Sequence, residues 1–428
     1  MSVKKKIINN GIASTLQKGV KVAEQLLLVP FFISAWGAAY YGEWLTLTII
    51  PTMLGFSDMG FGSAAANSYV LNYASGNKQK AADIAKNGFF TITLIILAGI
   101  LLTILSLILL SYFQIFDKSL IPAFDAIIAL SLLLFARLIG FYNPLCEAFF
   151  KAKRRVAFSI NINTIYSAAC LGASMLVLIL KGNIIQFALV NATISIVYAL
   201  VYYLLATNTL KTDEKITAQI DRTLIVQLLK KGLGYLLSPI WQAIFFQGTT
   251  FVVRLTLGPV AVTIFNTVRS LTRAVNQANA IAIGAVMPEI QYELGANNRA
   301  KAKKIFTTTF VLVAAIALSG IVFLYFLGPM FYEWWTHKAL TPPAAMWNIF
   351  LIGILFNALW WLSGDVLISA NKPYAFTLPA SIVAVFSVLI TYLCATHWGL
   401  AGAAMGSLLL DITLFALIIP KTIRLLKK

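Results

Sequence analysis

The stretch Pro259–Met287, PVAVTIFNTVRSLTRAVNQANAIAIGAVM, is long and apolar enough to cross a bilayer, yet it carries two arginines near its middle. About 20 residues of helix span the ~30 Å hydrocarbon core. The polar residues Asn266, Arg269, Ser270, Arg273, Asn276 and Gln277 recur three and four apart, so on a helix they share one stripe. Insertion scales put an arginine at mid-bilayer at roughly 2.5–3.5 kcal/mol against lipid. Two of them one turn apart therefore predict a stripe that faces protein, water or an anion. The run is continuous and shows no period of two, which reads as helix rather than barrel strand.

The rest of the chain repeats this character. Of 428 residues, 60% are hydrophobic and 11% charged, against about 25% charge in an ordinary soluble domain. The mean hydropathy is +0.84. Apolar runs recur throughout, so we expect an all-α polytopic membrane protein with nothing large outside the bilayer. Twelve spans are expected near 12–38, 42–70, 88–112, 122–149, 156–180, 184–206, 230–256, 260–288, 305–328, 344–369, 375–396 and 399–420.

The net charge of +18 would suggest nucleic acid in a soluble protein, but here it collects in alternate loops and sets orientation. Lys78, Lys80, Lys86, Lys151, Lys153, Arg154, Arg155, Lys301, Lys303, Lys304 and Lys372 fall on one side, together with both termini. That side is predicted to be cytoplasmic, and no nucleic-acid partner is expected. The opposite side holds Trp36, Trp44, Trp334, Trp335, Trp347 and Trp398, read as an interfacial aromatic belt.

An internal repeat emerges at an offset of about 221: Gly37 falls on Gly258, Asn77 on Asn298 and Lys80 on Lys301. Near 218, Glu147 falls on Asp365. Six spans per half give two lobes in the same orientation, the parallel-repeat plan of several transporters. The expected partition is 1–206 for the first lobe, 207–225 for a cytoplasmic interlobe linker and 226–428 for the second lobe.

Candidate site residues lie at unusual polar positions within spans. Arg269, Arg273, Asn266, Asn276, Gln277 and Gln242 are expected in the second lobe, and Lys18, Lys21 and Arg137 in the first. For Lys18 and Lys21 the alternative is snorkelling to the interface. Cationic walls suit phosphate or pyrophosphate, which arginine grips in a bidentate way. Asn161, Asn163 and Asn357 would offer amides to sugar hydroxyls, and Trp360, Trp361, Tyr142 and Tyr166 would stack on rings or pack in the core.

Among the acids, Glu147 and Asp365 sit before basic loops and read as structural ion pairs. Asp58 lies in Gly55-Phe-Ser-Asp-Met-Gly-Phe-Gly62, after Pro51, and this stretch predicts a bent helix. Asp58 and Glu24, with Gly60, Gly62 and Pro51, are candidates for ion coupling or gating, and a capped kink is the alternative for Asp58. Cys146, Cys170 and Cys394 suggest no disulfide framework. His337 and His397, the two histidines, sit at the outer face, and no phosphate loop, nucleophile elbow or zinc motif occurs. We expect neither an enzyme nor a cofactor or metal site.

The stretches Tyr41-Gly-Glu-Trp-Leu-Thr46, Gly55–Ser63 and Ala74-Ser-Gly-Asn-Lys-Gln-Lys-Ala-Ala82 resemble the Wzx-type oligosaccharide-unit flippases. These belong to the multidrug/oligosaccharidyl-lipid/polysaccharide (MOP) exporter superfamily. Met287-Pro-Glu-Ile290 and Gly295–Lys303 look like the counterpart in the second half. The resemblance implies a MATE-like fold in a bacterial inner membrane. It also implies transfer of an undecaprenyl-pyrophosphate-linked O-antigen or capsule unit to the periplasmic leaflet, by rocking two lobes around a cationic cavity. A polysaccharide polymerase and a chain-length regulator would be the partners. Three rivals stay open. A multidrug or cation antiporter would need a negative site, a non-transport scaffold would not need mid-bilayer arginines, and a peptidoglycan-precursor flippase would carry two more spans.

Overall fold

The computed structural model describes residues 3–57, 60–114, 119–210, 217–295, 298–370 and 372–427, and Asp58 lies outside them. The fold is all-helical. The helices are α1 (Val3–Leu47), α2 (Ile49–Ser57), α3 (Phe61–Ala74), α4 (Lys78–Tyr112), α5 (Ala123–Ile139), α6 (Asn143–Ala152), α7 (Val156–Ile179) and α8 (Ile184–Asn208). They continue with α9 (Arg222–Leu257), α10 (Pro259–Gly295), α11 (Arg299–Phe326), α12 (Gly328–Trp335), α13 (Ala344–Ser369) and α14 (Tyr374–Lys427).

Two of these are too long for one crossing. α1 has 45 residues and α14 has 54, and each breaks at a glycine with positive φ, Gly37 (75°) and Gly399 (58°). In α14 each side of the break is long enough to cross a ~30 Å core, whereas in α1 only residues 38–47 follow the break. Gly258, with φ 86°, makes the same break between α9 and α10. The pairs Gly37/Gly258 and Asn77/Asn298 are those of the sequence repeat. Asn77 caps α4 by accepting the Lys80 amide at 3.1 Å, and Asn298 caps α11 by accepting the Lys301 amide at 3.3 Å. The positions paired by the sequence repeat thus share caps and breaks, where backbone chemistry restricts the residue type.

Eight helical segments among the described residues are long and apolar enough to cross a membrane. α9 and α10, which carry the polar stripe and its neighbours, are not among them. The second expected span is divided among the end of α1, α2 and α3.

The chain forms two compact units, 1–24 with 47–239, and 25–46 with 240–428. The unit boundaries fall inside α1 and α9, whereas the sequence partition ran straight through 206 and 226. In the first unit the core gathers Phe61, Tyr69, Ile92, Leu145, Phe150 and Tyr202 from α3, α4, α6 and α8. The last linker residues belong here. Asn87, fully buried in α4, donates to the Gln219 carbonyl at 2.7 Å and accepts the Asp221 amide at 2.8 Å. Asp83 accepts the Gln219 amide at 2.9 Å, and Lys86 donates to the Ala218 carbonyl at 2.8 Å.

In the second unit α13 packs along α14, and Trp241, Trp360, Phe376, Leu410 and Leu414 form the core. The two halves of α14 meet at a Gly402-x-x-x-Gly406 step. A Cβ on Gly402 would lie 2.0 Å from the Cys394 carbonyl oxygen, and one on Gly406 would lie 1.9 Å from the Thr391 hydroxyl. Small residues at this spacing let the helix backbones touch where lipid supplies no hydrophobic drive. Residues 25–46 are pinned by Glu43, whose buried carboxylate takes Nε of Arg254 at 3.0 Å and a second bond from its Nη2. Prolines within helices leave carbonyls four residues earlier without a donor. Trp335 Nε1 fills the one at Leu26, opposite Pro30, at 2.5 Å, and Lys421 Nζ fills the one at Ala375, opposite Pro379, at 3.1 Å.

The aromatic belt is only partly lipid-facing. Trp334 and Trp398 are exposed, but Trp44, Trp335 and Trp347 are buried within the second unit. Ring area is worth more against protein than at an interface wherever a neighbour fits.

Candidate functional site

The stripe on α10 opens onto a cavity of about 280 Å³ inside the second unit, lined by α9, α10, α13 and α14. Of the expected site residues, it brings together Arg269, Arg273, Asn276, Gln277 and Gln242. Asn357, Trp360 and Trp361, expected as sugar contacts, line the same space.

The two arginines differ. Arg269 makes four hydrogen bonds: Nη1 donates to the Phe246 carbonyl at 3.2 Å and the Thr249 hydroxyl at 2.9 Å, while Nη2 donates to the Thr250 hydroxyl at 2.8 Å and to Asn266 Oδ1. Its guanidinium carbon also lies 5.2 Å from the Phe265 ring centre. Arg269 is therefore held by its own unit, and Asn266 serves to hold it. Arg273, one turn on, rests over Phe246 at 4.4 Å and makes no hydrogen bond or ion pair with the described residues. Its planar fork is the one left for a ligand. The Thr249–Thr250 pair on α9 gave no signal in the sequence, since hydroxyls within an apolar run look like ordinary helix back-bonding.

Asp411 lines the same cavity from α14. Its Oδ1 accepts the Asn357 amide at 2.8 Å and Trp360 Nε1 at 2.9 Å, and Gly353 leaves room for Oδ2, which lies 3.1 Å from where a Cβ would stand. No arginine or lysine reaches Asp411 within ion-pair distance among the described residues. The formally charged residues among those lining the cavity are two arginines and one aspartate. Trp361 is half-buried on its lining, while Trp241 and Trp360 are buried core residues, and the three ring centres lie 5.3–5.9 Å apart.

The remaining candidates belong to the first unit. Lys21 and Arg137 lie within electrostatic reach of Glu24, and Tyr166 and Cys170 are close to Arg137. Lys21 is exposed and Lys18 half-buried on α1, as snorkelling side chains would be. Pro51 on α2 and Gly60 and Gly62 at the start of α3 are buried. Tyr166 is a packing residue: it stacks on Tyr198 at 4.1 Å and shares a hydrogen bond with Ser195 at 2.8 Å. Asn163 accepts from Tyr198, and Tyr142 pairs with Thr93 at 2.8 Å. Of the two acids read as ion-paired, Glu147 meets Lys151 at 2.9 Å, whereas Asp365 has no ion pair among the described residues. Among the described residues no cluster of three metal-ligating side chains occurs.

No family model matches this sequence, and no curated protein does. Solved structures do match in fold. An inward-facing multidrug resistance MATE transporter of the MOP superfamily superposes with a TM-score of 0.71 at 15% identity, covering 96% of this chain and 95% of that one. The lipid II flippase MurJ in an inward closed conformation gives 0.75 at 12% identity over 98% and 89%. A MOP superfamily transporter from Pyrococcus furiosus, described as having a binding pocket of reverse polarity and a different function, gives 0.64 at 15% identity over 99% and 97%. At these identities the likeness is one of fold, and the fold is that of MATE-type transporters.

Proposed function

We propose that this chain is a transporter of the MOP superfamily and, within it, a Wzx-type flippase. It would carry an undecaprenyl-pyrophosphate-linked oligosaccharide unit from the cytoplasmic to the periplasmic leaflet of a bacterial inner membrane, as part of O-antigen or capsule assembly. The observation that carries the reading is Arg273, whose guanidinium makes no hydrogen bond or ion pair with the described residues and lines a cavity with two arginines and one aspartate. Transporters of cationic drugs need the opposite polarity. The fold shared with a lipid II flippase is compatible with a lipid-linked substrate, as it is with the multidrug transporters of the same fold. In this mechanism Arg273, oriented by the Phe246 face, holds the anionic headgroup and Arg269 supplies fixed charge behind it. Amides and tryptophans meet sugar, and the polyprenyl tail stays in lipid. Lys21, Lys18 and Arg137, in the first unit, are further cationic candidates for the substrate, and Asp58 and Glu24 are the carboxylates for ion coupling. The exported unit would pass to a polysaccharide polymerase and a chain-length regulator.

The test is export of surface polysaccharide in a flippase-null bacterial strain carrying Arg273→Ala at wild-type protein levels. We expect export to fall at least tenfold. Normal export with Arg273→Ala, or uptake of a lipophilic cation driven by the wild-type chain, would remove the reading.

A further inference from the structure

The connection between the two repeats runs along α4 before it enters α9, and α4 grips its backbone. Gln79 Nε2 donates to the Thr217 carbonyl at 3.0 Å, Lys86 Nζ to the Ala218 carbonyl at 2.8 Å and Asn87 Nδ2 to the Gln219 carbonyl at 2.7 Å. The Gln219 amide donates to Asp83 at 2.9 Å, and the Asp221 amide to Asn87 Oδ1 at 2.8 Å. Positions 79, 83, 86 and 87 lie on one face of the helix. Every one of these bonds ends on a main-chain group of 217–221, so the face selects a backbone conformation and not a sequence. Asn87 is 0% exposed and divides its amide among the carbonyls of Asp83 and Gln219 and the amide of Asp221. A buried amide needs such partners, and this one is complete only with the segment in place.

The internal repeat supplies the comparison. The offset of 221 that matches Asn77 to Asn298 places Ala300, Lys304, Thr307 and Thr308 of α11 where α4 has the four gripping residues. All four are exposed, and none carries a side-chain amide or carboxylate. The gripping face is therefore no requirement of a helix at this place in the fold; it belongs to the segment it holds.

That segment continues into α9 without slack. Asp221 accepts the amide of Thr223 at 2.8 Å and also its hydroxyl, which starts the helix. Leu228 joins Phe61 and Leu145 in the first-unit core, and a Cβ on Gly232 would stand 3.1 Å from backbone atoms of Gly60 and Phe61. By repeat position α9 opens the second half of the chain, yet 222–239 belong to the first unit. Beyond this anchored part the first weak point is Pro239, where the unit ends and where the missing amide leaves the carbonyl four residues earlier without a donor.

We propose that 217–221 is a strap that stays fastened to α4 throughout the transport cycle and keeps 222–239 on the first unit, so that α9 changes shape at Pro239 and does not lift away at its start. The cycle rests on the proposed transport function; fastening of the strap is measured without substrate.

The experiment is hydrogen exchange of the full chain in nanodiscs. In the wild type the amides of Gln219 and Asp221 should be protected a hundredfold or more, a figure that a strap open for more than about 1% of the time does not reach. Asn87→Ala should raise exchange at least tenfold at Gln219, at Asp221 and along 222–232, and leave the α5–α8 core unchanged. Asp83→Ala should do the same, so the test survives a poorly folded Asn87 variant. Asp83→Asn keeps an acceptor for the Gln219 amide and should behave as the wild type. Surface polysaccharide in a flippase-null strain should fall threefold or more with either alanine variant at unchanged melting temperature. Protection below a hundredfold at the two wild-type amides overturns the strap, as does acceleration that stops short of 222–232. Full export by both alanine variants removes its part in the cycle. A wild-type chain that is strapped and exports nothing removes the transport reading and leaves the strap standing.

Discussion

The indole of Trp335 donates to the carbonyl of Leu26 at 2.5 Å, the carbonyl that Pro30 leaves without a helical donor. A backbone oxygen with no water and no partner costs about 1–3 kcal/mol, so the bond ties α12 to the proline-broken part of α1 within the second unit. Trp335→Phe should lower the unfolding temperature in detergent. In a Pro30→Ala background, where the residue-30 amide can serve Leu26 itself, the same change should cost less. The double-mutant cycle is expected to give a coupling of about 1 kcal/mol, and additive effects would show that only ring packing is at stake.

Arg269 and Arg273 should separate when mutated. Arg269→Ala removes four hydrogen bonds inside one unit, and bonds from a charged donor contribute about 1.5–3 kcal/mol each before compensation. It should therefore destabilise the protein measurably. Arg273→Ala removes one ring contact and should shift stability by about 1 kcal/mol or less, while export fails. Thermal unfolding and surface polysaccharide, measured on the same two variants, check this. Equal loss of stability in both would show that Arg273 is structural.

Glu43 is buried at 4% side-chain exposure with both oxygens on Arg254. Removing one member of such a pair typically costs 3–5 kcal/mol, because the other charge stays buried without its counter-charge. Arg254→Ala is expected to fall in that range. Pairing it with Glu43→Gln should recover part of the loss, which chemical unfolding of the purified variants would reveal.

The fold was legible because its signals are local. Spans follow from apolar length, and the repeat showed itself at Gly37, Gly258, Asn77 and Asn298, where a positive φ or a cap allows few residue types. Half of the candidate site was legible too. A charge within a span is visible as an energetic anomaly, and Arg273 with Asn276, Gln277 and Gln242 do line one cavity. What the sequence does not state is rotation about a helix axis or the identity of a partner across space. That is why Arg269 read as a ligand residue although Thr249 and Thr250 occupy its fork, and why Glu43 passed as part of a motif instead of the mate of Arg254, 211 positions away. Trp44 and Trp347 read as belt residues for the same reason: a tryptophan near a span end fits an interface or a core equally well until its neighbours are known.

The segment 217–221 that leads into α9 is held by backbone recognition from α4, and this makes its attachment depend on acid. Asn87 uses both ends of its amide on Gln219 and Asp221, and Asp83 accepts the Gln219 amide. Asn87→Ala would leave both backbone groups unpaired beside a buried position, at about 1–3 kcal/mol. Hydrogen exchange at 217–223 should accelerate while exchange in the α5–α8 core stays unchanged. Asp221 accepts the hydroxyl and the amide of Thr223, the latter at 2.8 Å, and these bonds hold its carboxyl below the usual carboxylate range. A carboxyl lowered on folding adds stability that is fully present above its unfolded value of ~3.9 and is lost as pH falls through the lower folded value. Protection of 217–223 should thus persist at pH 5 and decline in strong acid. Asp221→Asn keeps a capping oxygen and removes the titration, so a decline of the same size in that variant would show that the Asp221 carboxyl does not carry the pH dependence.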